Sequence, residues 1–184
     1  MNRLIALLLA LTLALTPLFA LAEETDALMD FVQETLDKGG YELYERDDET
    51  NCFALGFGST DNRLGNIYAY LDIYSYGVLF IRCYEQTLPA ERIDEAIRFV
   101  NLVNSDLLFG KYYIDTATGD IFYEAFVRLD LVDVTKLDET VQDVLLDTLY
   151  MVALDANYDV EYFVTLSEGE TAANVFAMYL ADNE

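Results

Sequence analysis

Residues 67–74 read IYAYLDIY, with Ile67, Ala69, Leu71 and Ile73 on one side and Tyr68, Tyr70, Asp72 and Tyr74 on the other. A period of two marks a β-strand with one buried face. Ser75-Tyr76-Gly77 reads as a tight reversal. VLFIRCYE (78–85) follows, placing Leu79, Ile81 and Cys83 toward the core and Phe80, Arg82 and Tyr84 away from it. Two strands joined by so short a turn must pair antiparallel, because a parallel pair needs a long crossover.

The neighbouring segments extend this hairpin into a meander. YELYE (41–45) and CFALGF (52–57) read as two earlier strands around the polar turn RDDETN (46–51). GSTDNRLG (58–65) reads as a loop, and the glycines of GFGST (56–60) open no helix that would make them a phosphate loop. Before the strands, TDALMDFVQETLDK (25–38) carries Leu28, Phe31, Val32 and Leu36 on one helical stripe, with Thr25 to cap it and Gly39-Gly40 to stop it. After the meander, Thr87-Leu88-Pro89 opens a second helix whose core stripe is Ile93, Ala96, Ile97, Val100 and Val103. The stretch NSDLLFGKYYID (104–115) then passes from helix to strand. Asn104, Ser105 and Asp106 compete for backbone hydrogen bonds and end the helix. Leu108 and Phe109 are expected to anchor the junction in the core, and Gly110 to permit a sharp entry. KYYID (111–115), the turn TATGD (116–120) and IFYEAFVRLDL (121–131) form a second hairpin, with Tyr123, Ala125, Val127 and Leu129 facing the core.

A third helix is expected after Thr135, with Asp138 in the capping-box position and a core face of Val141, Leu145, Leu149, Val152 and Ala156. Asn157-Tyr158-Asp159 offers a point of interruption. A short last helix follows Ser167-Glu168-Gly169-Glu170. The order is α-β-β-β-β-α-β-β-α(-α), an α+β fold with helices packed on one face of an antiparallel sheet.

The N-terminus follows a different logic. MNR supplies Arg3, LIALLLALTLALTPLF is apolar, and Ala20-Leu21-Ala22 is an A-x-A site, so residues 1–22 read as a secretory signal peptide. The competing reading is an uncleaved anchor from Leu4 to Ala22. Residues 23–184 form one domain, expected to be secreted or extracytoplasmic with no stable membrane insertion after cleavage. The chain's formal net charge is −24, and losing Arg3 makes the mature domain one unit more negative. Such a surface repels nucleic acid and anionic membranes and favours basic partners. Cys52 and Cys83 lie on strands separated by a third. Non-adjacent strands stand about 9–10 Å apart, beyond the reach of a disulfide. The predicted register also points the two side chains to opposite faces, so two free thiols are expected.

The chain has no histidine, no CxxC, no P-loop and no G-x-S-x-G elbow. This removes the commonest general base, the serine and cysteine triads and the commonest zinc ligand. Asp47-Asp48-Glu49 and the pair Asp115 and Asp120 could offer oxygens to Ca²⁺, but they lack the loop spacing and sit where turns favour aspartate. No catalytic residue, metal or cofactor is therefore assigned. The informative feature is aromatic: 14 Tyr, 11 Phe and no Trp. Tyr68, Tyr70, Tyr74, Phe80, Tyr84, Phe122 and Phe126 are predicted on the strand face opposite the core, a face that should be polar if only water meets it. Cross-strand aromatic pairing on a half-exposed sheet accounts for it equally well.

Val103-Asn104, Leu108-Phe109-Gly110-Lys111-Tyr112, Gly119-Asp120 and Phe122-Tyr123-Glu124 together resemble the helix–junction–hairpin signature of the YbjN family. Leu88-Pro89-Ala90-Glu91 is similar to that family's helix start. Leu154-Asp155 to Tyr158, then Gly169-Glu170 and Ala172-Ala173, is similar to its C-terminal part. The resemblance spans residues 25–175. It implies a fold like that of the type III secretion chaperones, and a regulatory or chaperone-like, non-catalytic protein that binds a protein or peptide partner or forms a homodimer. The signal peptide departs from that pattern and puts a cytoplasmic chaperone role in doubt. Two rival functions remain: a carboxylate-dependent hydrolase acting on an envelope polymer, and a cation-responsive acidic surface protein.

Overall fold

A computed structural model describes residues 25–58, 63–129 and 137–183, with the main chain alone at 154–157. The predicted signal peptide lies outside the described residues, as do Thr135 and part of the GSTDNRLG loop. The fold is α+β. Helix α1 (residues 25–38) precedes strands β1 (Leu43–Asp47), β2 (Cys52–Phe57), β3 (Ile67–Tyr74) and β4 (Gly77–Tyr84). A 3₁₀ turn (Ala90–Arg92) leads into α2 (Ile93–Asp106), then β5 (Lys111–Ile114), β6 (Ile121–Arg128), α3 (Glu139–Ser167) and α4 (Ala172–Asp182). The six strands form one antiparallel sheet in the order β1-β2-β3-β4-β6-β5. β6 returns between β4 and the short edge strand β5.

Helix α1 ends at Gly40, whose φ is +75°, and the Tyr41 amide donates back to the Leu36 carbonyl at 3.0 Å. That is a Schellman close, available cheaply to glycine. Leu28, Met29, Val32 and Leu36 of α1 pack with Phe53, Leu55, Leu71, Val78 and Phe80 beneath the first half of α3. A second cluster joins Phe99, Val100 and Val103 of α2 to Tyr112, Ile121, Phe163 and Val175. Among the described residues every helix contributes to these two clusters, which share one face of the sheet.

The hairpin of residues 67–84 requires a correction. Tyr74 pairs with Gly77, so the loop holds two residues, Ser75 and Tyr76, and not three. Ile73 then faces Val78, Leu71 faces Phe80, Ala69 faces Arg82 and Ile67 faces Tyr84. A slip of one residue moves every side chain to the other face. Phe80 and Tyr84, predicted on the outer face, are therefore core residues at 0% and 3% exposure. Leu79, Ile81 and Cys83 take the outer positions. Burying an aromatic or aliphatic side chain is worth about 1.5–3 kcal/mol, so Val78, Phe80 and Tyr84 favour this register strongly. Its cost is a buried Arg82. Cys83 changes face with its strand, so both cysteines lie on the outer face, and both are free thiols. Strand β3 separates them, so the distance argument holds and the opposite-face argument does not.

The helix-to-strand junction also differs from expectation. Leu108 is fully exposed and Phe109 is 39% exposed. Leu107 packs against the core in their place. Gly110 takes φ +66°, and a Cβ there would lie 2.8 Å from the Glu124 carbonyl oxygen and collide with the Tyr123 hydroxyl and its Cζ. The Asn104 side chain holds both backbone groups of Tyr112, accepting from its amide at 2.8 Å and donating to its carbonyl at 2.7 Å. Asn104 thereby pins edge strand β5 onto the end of α2.

Helix α3 runs from Glu139 to Ser167 without a break at Asn157-Tyr158-Asp159. Asp138 is its N-cap and accepts from the amides of Thr140 and Val141, so it is not the third helical residue of a box. For α4 the cap is Thr171, which accepts from the Asn174 amide, in place of the expected Ser167.

Candidate functional site

Two places combine geometry with chemistry: the outer face of the sheet, and a cavity at the junction of α2, α3 and α4 with β5 and β6. The outer face is built from cross-strand rows. Tyr68, Cys83, Phe122 and Tyr113 follow one another across β3, β4, β6 and β5. Tyr70, Ile81, Glu124 and Lys111 form the next row, and Cys52, Asp72, Leu79 and Phe126 the one after. Of the predicted residues, Tyr68, Tyr70 and Phe122 are half-buried there, and Tyr74 and Phe126 are each 40% exposed.

The rings cluster at two points. Tyr74, Tyr76 and Phe126 have centroids 5.7–6.4 Å apart, and Tyr113 stacks on Phe122 at 4.7 Å. Tyr76 and Tyr113 had not been assigned to this face from sequence. The first sits in the turn, and the second could have been read from the alternation of KYYI. Gly77 makes room for the first cluster, since a Cβ there would come within 2.6 Å of the Phe126 ring. Among the described residues no helix lies over this face. Its charged side chains are the acids Glu45, Asp47, Asp72 and Glu124 and the bases Lys111 and Arg128. Burial pushes the Tyr113 phenol up to about 12, with Glu124 adding to the effect, and pushes the Cys52 and Cys83 thiols up to about 12 and about 11. Both are therefore protonated thiols at neutral pH.

The cavity measures about 380 Å³ and is lined by Tyr112, Tyr123, Tyr158, Tyr162 and Tyr179 together with Asp159 and Asp182. Behind it lies Arg82, 1% exposed. Its guanidinium reaches the Tyr112 hydroxyl at 3.1 Å, Asp159 Oδ2 at 3.4 Å and the Val152 carbonyl at 3.3 Å. The rings of Tyr84, Tyr112 and Tyr123 surround it at 5.0–5.4 Å, so cation–π attraction supplements one buried ion pair. Arg82 Nε has no partner among the described residues. Burial disfavours the charge on Arg82, but Tyr112, Tyr84 and Asp159 hold it cationic, with its pKa above the ordinary value. Burial raises the Asp159 carboxyl, while Arg82 and the Tyr112 hydroxyl, which donates to Oδ2, pull it down. At the other wall the Tyr162 hydroxyl donates to Asp182 Oδ2 at 2.8 Å. No sequence motif marked this site, because its residues come from β4, β5, β6, α3 and α4.

The turn acids have backbone work. Asp47 accepts from the amides of Glu49 and Thr50, and Asp115 from those of Ala117 and Thr118. No group of three acidic or cysteine side chains among the described residues is placed to hold a metal ion.

The model of the YbjN family, described as "Putative bacterial sensory transduction regulator", matches residues 29–157. Among solved structures the chain is similar to "Crystal structure of YbjN, a putative transcription regulator from E. coli", at 16% identity and a TM-score of 0.47, over 71% of this chain and 91% of that one. No curated protein matches.

Proposed function

We propose, from the premise that this chain belongs to the YbjN family, that it is a non-catalytic regulatory protein that docks a basic protein partner on the outer face of its sheet. The observation that carries this reading is the aromatic outer face, where Tyr74, Tyr76 and Phe126 are 40–55% exposed. Stacked rings standing in water forfeit burial free energy that a partner would restore. The net charge of −24 selects the partner's sign. Two copies of so acidic a chain repel one another, whereas a basic segment is steered toward it. The chaperone-like role and the likeness to type III secretion chaperones belong to this reading. So does export, with residues 1–22 removed and the domain acting outside the cytoplasm.

A photo-crosslinking amino acid placed at Tyr74 or Phe126 in the expressed protein tests the docking face. Tyr150, an exposed position on α3, serves as the control. The expected result is one crosslinked product from the sheet positions and none from Tyr150, with the captured protein basic in sequence. Crosslinks joining two copies of the chain replace the basic partner with a homodimer. Absence of any product from the sheet positions overturns the docking face. Fractionation of the same cells tests export: the protein is expected at the shorter length, in the extracytoplasmic fraction.

The cavity favours a second reading, the carboxylate-dependent hydrolase, because Asp159 and Asp182 line one concave site and burial raises the Asp159 pKa. The hydrogen bonds weigh against it, since Arg82 and Tyr112 both occupy Asp159 Oδ2. Hydrolysis of envelope polysaccharide by the purified protein, lost in both Asp159→Asn and Asp182→Asn, would favour the enzyme.

A further inference from the structure

The cavity at the α2–α3–α4 junction is distinct from the docking face and has a consistent electrostatic character. Its walls are phenol rings, whose faces carry negative potential. Tyr162 and Tyr179 meet nearly at right angles, at 71° with centroids 5.8 Å apart, and Tyr112 and Tyr123 meet at 60° and 4.8 Å. Tyr112 and Tyr123 already flank the Arg82 guanidinium, so the inclined Tyr162–Tyr179 pair is the corner offered to a ligand. Among the described lining residues the formal charges are both negative, Asp159 and Asp182. The Arg82 guanidinium accounts for Asp159. Asp182 receives only the neutral Tyr162 hydroxyl, through Oδ2, among the described contacts. Two helices also end here. Leu107, directly after α2, lines the cavity, as do Asp182 and Asn183 at the end of α4. The C-terminal end of a helix carries partial negative charge. Neither helix has a basic residue in its last turn to offset it. Rings, carboxylate and helix ends all favour a cation, and a volume of about 380 Å³ suits a small molecule rather than a bare ion.

We propose that this cavity binds a small organic cation, an ammonium or quaternary ammonium group on a short aliphatic body, with its charge against Asp182 and its carbons against Tyr162 and Tyr179. The aromatic corner supplies cation–π attraction and excludes water, and the carboxylate supplies the formal counter-charge. A ligand that is merely apolar gains the rings and loses the rest. A simple metal cation gains the carboxylate but does not fill the cavity.

Calorimetry on the purified protein tests this with four probes: choline, putrescine, the neutral choline isostere 3,3-dimethyl-1-butanol, and sodium chloride at matched ionic strength. Saturable one-to-one binding of choline or putrescine is expected, with at least tenfold weaker binding of the neutral isostere and none of sodium. The chain has no tryptophan, so tyrosine emission reports occupancy independently. Asp182→Asn should weaken binding at least tenfold. Tyr179→Ala should do likewise, while Tyr179→Phe, which keeps the ring, should bind as the parent does. Urea midpoints on each variant separate a lost site from a lost fold, and Asp182→Asn, close to the end of the last helix, keeps the test intact if Tyr179→Ala unfolds. Equal binding of choline and its neutral isostere, unchanged binding in Asp182→Asn, or no saturable binding of either cation would overturn the proposal. Tyr74→Asp on the outer face should leave cation binding unchanged, so this site and the docking face fail or stand separately.

Discussion

Gly110 shows how much one residue can decide. Its φ of +66° already penalises a side chain, and a Cβ would also meet the Tyr123 ring and the Glu124 carbonyl. Gly40 has a similar φ of +75° but nothing within 4 Å of the missing Cβ. The two positions therefore separate conformational cost from collision. Gly40→Ala is expected to cost about 1 kcal/mol, the left-handed penalty alone. Gly110→Ala should cost about 2–4 kcal/mol, because overpacking adds to that penalty. Urea denaturation of both variants measures the difference, and equal losses would show that Tyr123 simply moves aside. The sequence announced this glycine through the pattern LLFGKYY. It could not announce that Leu108 points to water, because which of three consecutive apolar residues turns inward depends on where the Tyr123 hydroxyl holds the Phe109 carbonyl.

At the scale of elements, Arg82 ties strand β4 to helix α3 through Asp159 and the Val152 carbonyl. Its burial is also what makes the face of β4 hard to read from the chain. An arginine in an alternating strand reads as a solvent-facing residue, and Leu79 and Ile81 match Phe80 and Tyr84 too closely in hydrophobicity to correct it. The deciding contacts, Tyr112 and Asp159, lie 30 and 77 residues away in the chain. Removing one member of a buried pair leaves the other desolvated and unpaired. Arg82→Met is expected to cost about 3–5 kcal/mol, and Arg82→Met with Asp159→Leu to recover most of that loss. A double-mutant cycle in urea gives the coupling. A double variant as unstable as the sum of the singles would show that the rings, and not the carboxylate, hold the guanidinium. Other elements were legible from local chemistry. The α1 stripe, the β3 alternation and the β6 faces were read correctly because each pattern of apolar residues admits one phase.

For the whole molecule, titration gives a direct test. Burial raises the Cys52, Cys83 and Tyr113 pKa values to about 12, 11 and 12, from ordinary values of 9.0 for the thiols and 10.0 for the phenol. The folded chain keeps these protons at pH values where the unfolded chain releases them. Stability from these groups is therefore complete below about pH 9 and is lost as pH climbs toward about 12. The urea midpoint should be lower at pH 10.5 than at pH 8, and equal midpoints would contradict the raised pKa values of the three groups. Family, the α+β class and the free thiols were readable from the chain, since hydrophobic period, strand order and junction motifs are local properties. The faces of β4, the burial of Arg82 and the tyrosine-lined cavity were decided by tertiary structure. Each depends on side chains brought together from distant strands and helices, and a register that differs by one residue exchanges core for surface without changing a single letter of the sequence.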